Sequence, residues 1–140
     1  MKVTVKRNAT FQYPVELVWR GIGVNNNGTA VDPLSEEQYE NYEPERNTVF
    51  TRAVEVKQNE VFAFQMKTWM SYCDWRIELT PVGPCETKVS FVNKIKYRSA
   101  SGYILSIFGL LARSEMKRFV DQLGKKIDMD FQKNRPSKED

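Results

Sequence analysis

The middle of this sequence holds four strand-like runs that follow one another with only short connections. The runs span Thr48 to Lys57, Glu60 to Met70, Asp74 to Thr80 and Thr87 to Tyr97. They are joined by Gln58-Asn59, Ser71-Tyr72-Cys73 and Pro81-Val82-Gly83-Pro84. Segments this short have no room for a crossover helix, so neighbouring strands must pair antiparallel, as a meander. This constraint limits the possible folds more than any other feature of the chain.

Alternation within the runs predicts a sheet with one apolar face and one polar face. Phe62, Phe64 and Met66 alternate with smaller or more polar residues, and Trp75 and Ile77 alternate with charged ones. In a strand, successive side chains point to opposite faces. One face should therefore pack on a core while the other meets water.

Two helices are predicted to flank the meander. A first strand, Val3 to Phe11, ends before Pro14, which suits the first turn of a helix, and apolar residues recur at helical spacing as far as Ile22. After Gly102 a long helix is predicted from an apolar stripe of Ile104, Phe108, Leu111, Met116, Phe119, Val120, Leu123 and Ile127. We predict that Gln132 to Asp140, which is polar and contains Pro136, is a disordered tail.

The segment from Ala30 to Arg46 is poorly patterned. Asp32-Pro33 and Glu43-Pro44 break regular structure, and five glutamates fall between Glu36 and Glu45. It is either a short helix followed by an edge strand or a surface loop. The predicted fold class is α+β: a curved antiparallel sheet of six or seven strands wrapped around the C-terminal helix, in one domain covering residues 1–131.

Composition excludes several classes of function. The 140 residues fit one domain, and a net charge of +3 with scattered basic residues does not indicate a nucleic-acid binder. Histidine is absent, which removes the commonest general base and imidazole metal ligand. No apolar leader follows the first residues and no stretch is long enough to span a bilayer, so we expect a cytoplasmic protein without integral membrane association.

Neither metal nor thiol chemistry is indicated. The acidic run lacks the aspartate spacing and central glycine of a calcium loop, so it is interpreted as a solvated surface. Cys73 and Cys85 have no histidine to activate them and are too few for a disulfide framework, so we expect two free thiols. We predict no metal, no cofactor and no catalytic residues.

Aromatic residues are the informative set, because the chain has eight Phe, six Tyr and three Trp. Those on the two apolar stripes should meet between sheet and helix, either as a solid core or around a cavity. Arg52, Glu55 and Asn93 are polar residues in strands, and one of them could anchor a ligand. The candidate ligand-binding residues are Phe62, Phe64, Met66, Trp75, Ile77, Phe91, Phe108, Met116, Phe119 and Leu123.

Asp74, Arg76 and Glu78 alternate with the apolar residues of one strand. They form an exposed cross-strand charge set or, if that face points inward, a pair able to act on a ligand.

The order of elements resembles the START/Bet v1-like (SRPBCC) superfamily. The resemblance rests on the helix start Pro14-Val15-Glu16-Leu17-Val18-Trp19, on Trp75 to Pro81 followed by a glycine turn and Thr87-Lys88-Val89, and on the final helix after Gly102. It implies a helix-grip fold with a hydrophobic cavity between sheet and last helix, without shared catalytic residues.

Three functions remain open at the level of sequence. The first is binding or transport of a small hydrophobic ligand or lipid by a monomer or weak homodimer. The second is an enzyme of the polyketide cyclase type that uses carboxylates and tyrosines. The third is a co-chaperone-like interaction module.

Overall fold

The computed structural model describes residues 2–23, 50–98 and 110–134. In chain order the elements are β1 (Lys2–Phe11), α1 (Val15–Ile22), β2 (Phe50–Lys57), β3 (Val61–Lys67), β4 (Ser71–Gly83), β5 (Glu86–Tyr97) and α2 (Leu110–Asn134). The five strands of these ranges form one antiparallel sheet in the order β1-β5-β4-β3-β2. The predicted meander and α+β class are confirmed. The further edge strand was expected between Ala30 and Arg46, a segment that lies outside the described residues.

The turns of the meander are set by local chemistry. Between β2 and β3 the backbone closes with a hydrogen bond from Glu60 N–H to Lys57 O, and Asn59 takes a positive φ of 65°, which asparagine tolerates well. Between β3 and β4 the Thr68 hydroxyl accepts hydrogen bonds from the backbone N–H groups of Met70 and Ser71. This side-chain cap places the turn before Ser71, so the prediction of a connection at Ser71-Tyr72-Cys73 was wrong.

The connection between β4 and β5 is also shorter than predicted. β4 continues through Pro81 to Gly83, with a register shift at that point against β5. Pro81 has no backbone N–H to donate. Its nitrogen faces the β3 side of β4, and β3 pairs with β4 only as far as Glu78, so no hydrogen bond within the sheet is lost.

The two helices cover the apolar face of the sheet. α1 begins after Pro14, whose carbonyl accepts the first hydrogen bonds, and ends at Gly23, with a φ of 88°. α2 runs to Asn134 and so extends three residues into the segment predicted to be a tail. The N-terminal part of the predicted helix, with Ile104 and Phe108, lies outside the described residues. Neither described helix is long and apolar enough to cross a membrane.

The hydrophobic core lies between both helices and the inner face of the sheet. Its fully buried members include Val18 of α1, Ile77 of β4, Phe91 of β5 and Ile127 of α2. At the far end of the two helices, Arg20 forms an ion pair of 2.8 Å with Asp130. The core therefore fills the part of the sheet that faces α1 and the C-terminal half of α2.

Candidate functional site

A cavity of about 330 Å³ lies between the inner face of the sheet and the N-terminal part of α2. It occupies the end of the sheet where β4 begins and β5 ends. Its described lining residues are Met66, Thr68, Trp69, Met70, Ser71, Cys73, Trp75, Asn93, Ile95, Tyr97, Leu111, Ala112, Glu115 and Met116. The wall is largely apolar with a few polar groups, which is typical of small-molecule sites.

The cavity exists because side-chain size changes along β4. The inward residues of this strand begin with Ser71 and Cys73, which are small, and continue with Trp75, Ile77 and Leu79, which are large. On the facing helix Ala112 is again small, whereas Met116 and the residues that follow on the same stripe are larger. Small residues on both walls leave space at one end, and large residues close it at the other.

A group of packed aromatic rings lies between the cavity and the core. Trp75 lies 5.9 Å from Phe64 and 5.3 Å from Phe119, and Phe119 lies 5.9 Å from Phe91, all between ring centroids. Phe62 stacks on Phe64 at 5.0 Å. These distances are those of close-packed aromatic pairs. Trp75 belongs to both regions, because it also lines the cavity.

The predicted ligand-binding residues divide between these two regions. Met66, Trp75 and Met116 line the cavity. The buried core contains Phe62, Ile77, Phe91 and Leu123, and Phe64 and Phe119 are partly buried against it. Phe108 lies outside the described residues. The structure thus combines the two alternatives, a solid core at one end of the helix and a cavity at the other; contact of any of these residues with a ligand remains a prediction.

Two residues that line the cavity each carry a buried polar atom without a hydrogen-bond partner in the described structure. These two atoms are Nε1 of Trp75 and Oδ1 of Asn93. Asn93 as a whole is only 7% exposed. Of the three polar strand residues considered as ligand anchors, Asn93 is therefore the one that faces inward; Arg52 and Glu55 lie on the opposite face.

A buried thiol lies beside these groups. Burial raises the pKa of Cys73, an effect opposed by hydrogen bonds from Ser71 and Asn93 and reinforced by the negative charges of Glu115 and Asp74. The Ser71 hydroxyl is 3.7 Å from the sulfur. Cys85 is exposed and lies beyond the far end of β4. Ten residues of strand separate Cys73 from Gly83, roughly 33 Å, so the two thiols are too far apart to form a disulfide.

The polar face of the sheet carries the charge set predicted on β4. Arg76 donates hydrogen bonds to Glu55 at 3.0 Å and to Glu78 at 3.1 Å, and all three side chains are substantially exposed. The Arg76 hydrogen bond lowers the pKa of Glu55. A shallow concavity of about 690 Å³ on this face is bordered by these residues. Because the charged groups pair with one another in water, this face is a solvated surface and not a ligand anchor.

Sequence reasoning missed part of the site because Ser71 and Cys73 were assigned to a turn. Once β4 is extended back to Ser71, its period of two places both residues on the face of Trp75. Ile95 and Tyr97 could have been found in the same way, since they alternate with Asn93 on β5.

No protein-family model matches the sequence, and no curated protein is significantly similar to it. Solved structures do match. A conserved protein from Geobacillus kaustophilus superposes with a TM-score of 0.64 at 11% identity, covering 91% of this chain and 96% of the other. A START superfamily protein from Mycobacterium smegmatis gives a TM-score of 0.55 at 11% identity, covering 93% and 97%. The chain has the START/Bet v1-like fold.

A third match to the START/Bet v1-like fold is an enzyme. Norcoclaurine synthase from Thalictrum flavum, a point mutant in complex with a transition-state analogue, superposes with a TM-score of 0.58 at 7% identity over 93% of this chain and 96% of that one. Identities this low define the fold alone. The resemblance predicted from the sequence is thus confirmed for the architecture, and function has to be argued from the cavity.

Proposed function

We propose that this protein binds a small hydrophobic molecule in the cavity between β4, β5 and the N-terminal part of α2. The observation that supports this function best is the cavity itself, an open cleft of about 330 Å³ between the sheet and α2 with a largely apolar wall. A dry cavity of roughly 150 Å³ is already enough to hold benzene.

The composition of the wall supports an apolar ligand. Met66, Met70 and Met116 contribute flexible thioether side chains from three separate segments, and methionine adapts well to irregular ligands. Ile95 and Leu111 add aliphatic surface. With about a dozen non-hydrogen atoms buried at roughly 0.5 kcal/mol each, the expected dissociation constant is on the order of tens of micromolar.

The fold is compatible with this function. Relatives of this fold include a START superfamily protein and an enzyme solved in complex with a transition-state analogue. The described wall of the cavity presents one carboxylate, Glu115, and no second carboxylate beside it. Tyr97 and Cys73 also line the cavity, but burial raises the pKa of Cys73 and Glu115 is exposed at the rim. An acid–base enzyme would be expected to hold a pair of ionisable groups tuned to exchange a proton, so we favour binding over the cyclase-type alternative.

Methionine methyl groups provide a direct test. In protein labelled at the methionine methyls, titration with naphthalene should shift the NMR signals of Met66, Met70 and Met116. Met129 is 71% exposed on the other half of α2 and is an internal control whose signal should not move. Equal shifts at all methionines, or none, would contradict binding in the cavity.

A matched pair of variants tests whether the ligand occupies the cavity. Ala112→Leu adds three carbons into the cavity, whereas Ser114→Leu adds the same side chain at an exposed position two residues further on. We expect the first variant to abolish naphthalene binding and the second to retain it. If both variants retain naphthalene binding, the ligand binds elsewhere.

Native mass spectrometry of freshly purified protein is an independent experiment that would identify any molecule that the protein carries.

A further inference from the structure

Trp75 and Asn93 form a cross-strand pair on the inner face of the sheet. They are directly opposite each other in the register of β4 and β5, so their Cβ atoms lie about 5 Å apart. Both side chains line the cavity. One brings an N–H donor and the other a carbonyl acceptor, and neither atom has a hydrogen-bond partner among the described residues.

Burying these two polar atoms is costly unless a bound molecule supplies their hydrogen-bond partners. A buried polar atom without a partner loses its hydrogen bond to water and gains nothing in return. Native structures have few such groups, and each of them calls for an explanation. The other end of the Asn93 amide is already engaged, since it hydrogen-bonds the Cys73 thiol. The carbonyl oxygen is therefore the atom left for a ligand.

The charge of the wall restricts the ligand further. Among the described lining residues the charged side chain is that of Glu115, at the exposed rim. A carboxylate at the entrance repels an anionic ligand and offers no partner for a carboxylate head group. Lysine and arginine are not found among the described lining residues. A fatty acid bound as its anion does not fit these groups.

We infer that the cavity takes a neutral, hydroxyl-bearing apolar molecule, an alcohol or phenol of one or two rings. Its hydroxyl oxygen accepts a hydrogen bond from Trp75 Nε1–H, and its hydroxyl hydrogen is donated to Asn93 Oδ1. The rest of the molecule lies against the methionine and aliphatic wall. A hydroxyl is the smallest group that supplies an acceptor and a donor at one atom. This inference rests on the proposed function.

Three probes of nearly equal size separate the contributions of the hydroxyl. 2-Naphthol can accept from Trp75 and donate to Asn93, 2-methoxynaphthalene can only accept, and naphthalene can do neither. We expect wild-type protein to bind 2-naphthol at least about tenfold more tightly than naphthalene, with the ether in between, because each hydrogen bond leaves one fewer buried polar atom unpaired. Methionine-methyl NMR titration measures all three affinities in the same way.

Two variants test the two groups separately. Trp75→Phe removes the indole donor and keeps an aromatic ring, and Asn93→Leu removes the acceptor at nearly constant size. Each should lower the affinity for 2-naphthol about tenfold more than it lowers the affinity for naphthalene. The melting temperature of each empty variant is the folding control, because Trp75→Phe also shortens a ring packed on Phe119 and Asn93→Leu also removes the hydrogen bond to Cys73.

The outcomes distinguish this inference from the function on which it rests. If naphthalene and 2-naphthol bind equally well, the protein is a hydrophobic carrier and the assigned hydroxyl is wrong. The same conclusion follows if both variants leave the preference for 2-naphthol intact. If none of the three probes binds, the proposed function fails together with the inference.

Discussion

Gly21 of α1 lies so close to Ile127 of α2 that the two helices can pack together only because residue 21 has no side chain. A Cβ atom built on Gly21 would lie 2.5 Å from Cγ1 of Ile127, closer than any real carbon contact. Ile127 itself is fully buried. The glycine therefore allows α1 to approach α2 and close the core at the end opposite the cavity.

We expect Gly21→Ala to destabilise the protein by about 1–3 kcal/mol, the usual cost of forcing extra volume into a packed core. Urea unfolding monitored by circular dichroism measures the change in the free energy of unfolding. Gly124→Ala is the matched control, because its nearest neighbour would be Phe11 at 3.5 Å, an ordinary contact. That helical substitution should stabilise the protein, by up to about 1 kcal/mol.

A double-mutant cycle tests the cause of the effect. In an Ile127→Ala background the clashing atom is gone, so Gly21→Ala should cost much less there than in the wild-type background. An unchanged cost would mean that alanine disturbs α1 itself and not its contact with α2.

Phe119 tests the boundary between core and cavity. Its ring packs against Trp75 and Phe91, and it does not line the cavity among the described residues. Because Phe119 is only partly buried against the core, we expect Phe119→Ala to cost about 3 kcal/mol, the lower end of the range for core phenylalanines. Phe131→Ala removes the same ring from an exposed position, where the ring contacts Tyr13 at 5.2 Å, and should cost about 1 kcal/mol.

The result would also bear on the cavity. A loss at Phe119 as small as that at Phe131 would show that the ring already borders empty space and that the cavity extends further along α2. Thermal or urea unfolding of the two variants side by side gives the comparison directly.

The sheet could be predicted from the sequence because alternation is a local property. Phe62, Phe64 and Met66 share a face whatever the rest of the chain does, and short connections enforce antiparallel pairing. The turn before Ser71 could not be located in this way. It depends on the Thr68 hydroxyl accepting from two backbone N–H groups, and the local sequence carries no glycine or proline to mark it.

The cavity could be expected but not placed. Its position depends on small residues of β4 facing a small residue of α2, Ala112, which lies some forty positions along the chain. Sequence patterns place Ile77 and Phe91 on the same apolar face of the sheet as Trp75. Only the packing of α2 against that face shows that Ile77 and Phe91 are buried in the core. Asn93 could be named as a candidate polar anchor because a polar side chain on an apolar face is costly to bury unless it finds a hydrogen-bond partner.

The polar face allows an electrostatic prediction at Glu55. Hydrogen bonding to Arg76 is the largest cause that lowers the pKa of this carboxyl, and the charge of Lys57, 3.6 Å away, adds less. We expect Arg76→Met to raise the pKa of Glu55 towards its ordinary value, measured by NMR titration of the side-chain carboxyl. Lys57→Met is the control and should raise it less. A larger rise with Lys57→Met would contradict this order.

The lowered pKa of Glu55 also fixes the sign of a pH effect. A carboxyl whose pKa is lower in the folded state adds stability above its unfolded pKa and loses it as the pH falls through the folded value. The part of the stability difference between wild type and Arg76→Met that comes from Glu55 should therefore be lost in acid. It should also shrink at high salt, because the groups are exposed.

The two thiols should react at very different rates. Burial raises the pKa of Cys73, so at neutral pH the group is a protonated thiol, whereas alkylating reagents attack the thiolate. Cys85 is exposed. We expect iodoacetamide to modify Cys85 rapidly and Cys73 slowly, as followed by mass spectrometry of the intact protein. Comparable rates at both sites would show that the cavity admits solvent freely to the sulfur.

Cys73 then reports on the cavity itself. In the Cys85→Ser variant, the remaining slow reaction belongs to Cys73, and naphthalene should slow it further, because the ligand and the carboxamidomethyl group compete for the same space. Complete alkylation should in turn abolish naphthalene binding. Raising the pH should accelerate the reaction beyond the range where an ordinary thiol has fully ionised, since the pKa of Cys73 is displaced upward. If naphthalene leaves the rate at Cys73 unchanged, the ligand does not occupy the space beside Ser71 and Asn93, and the site must be sought elsewhere in the fold.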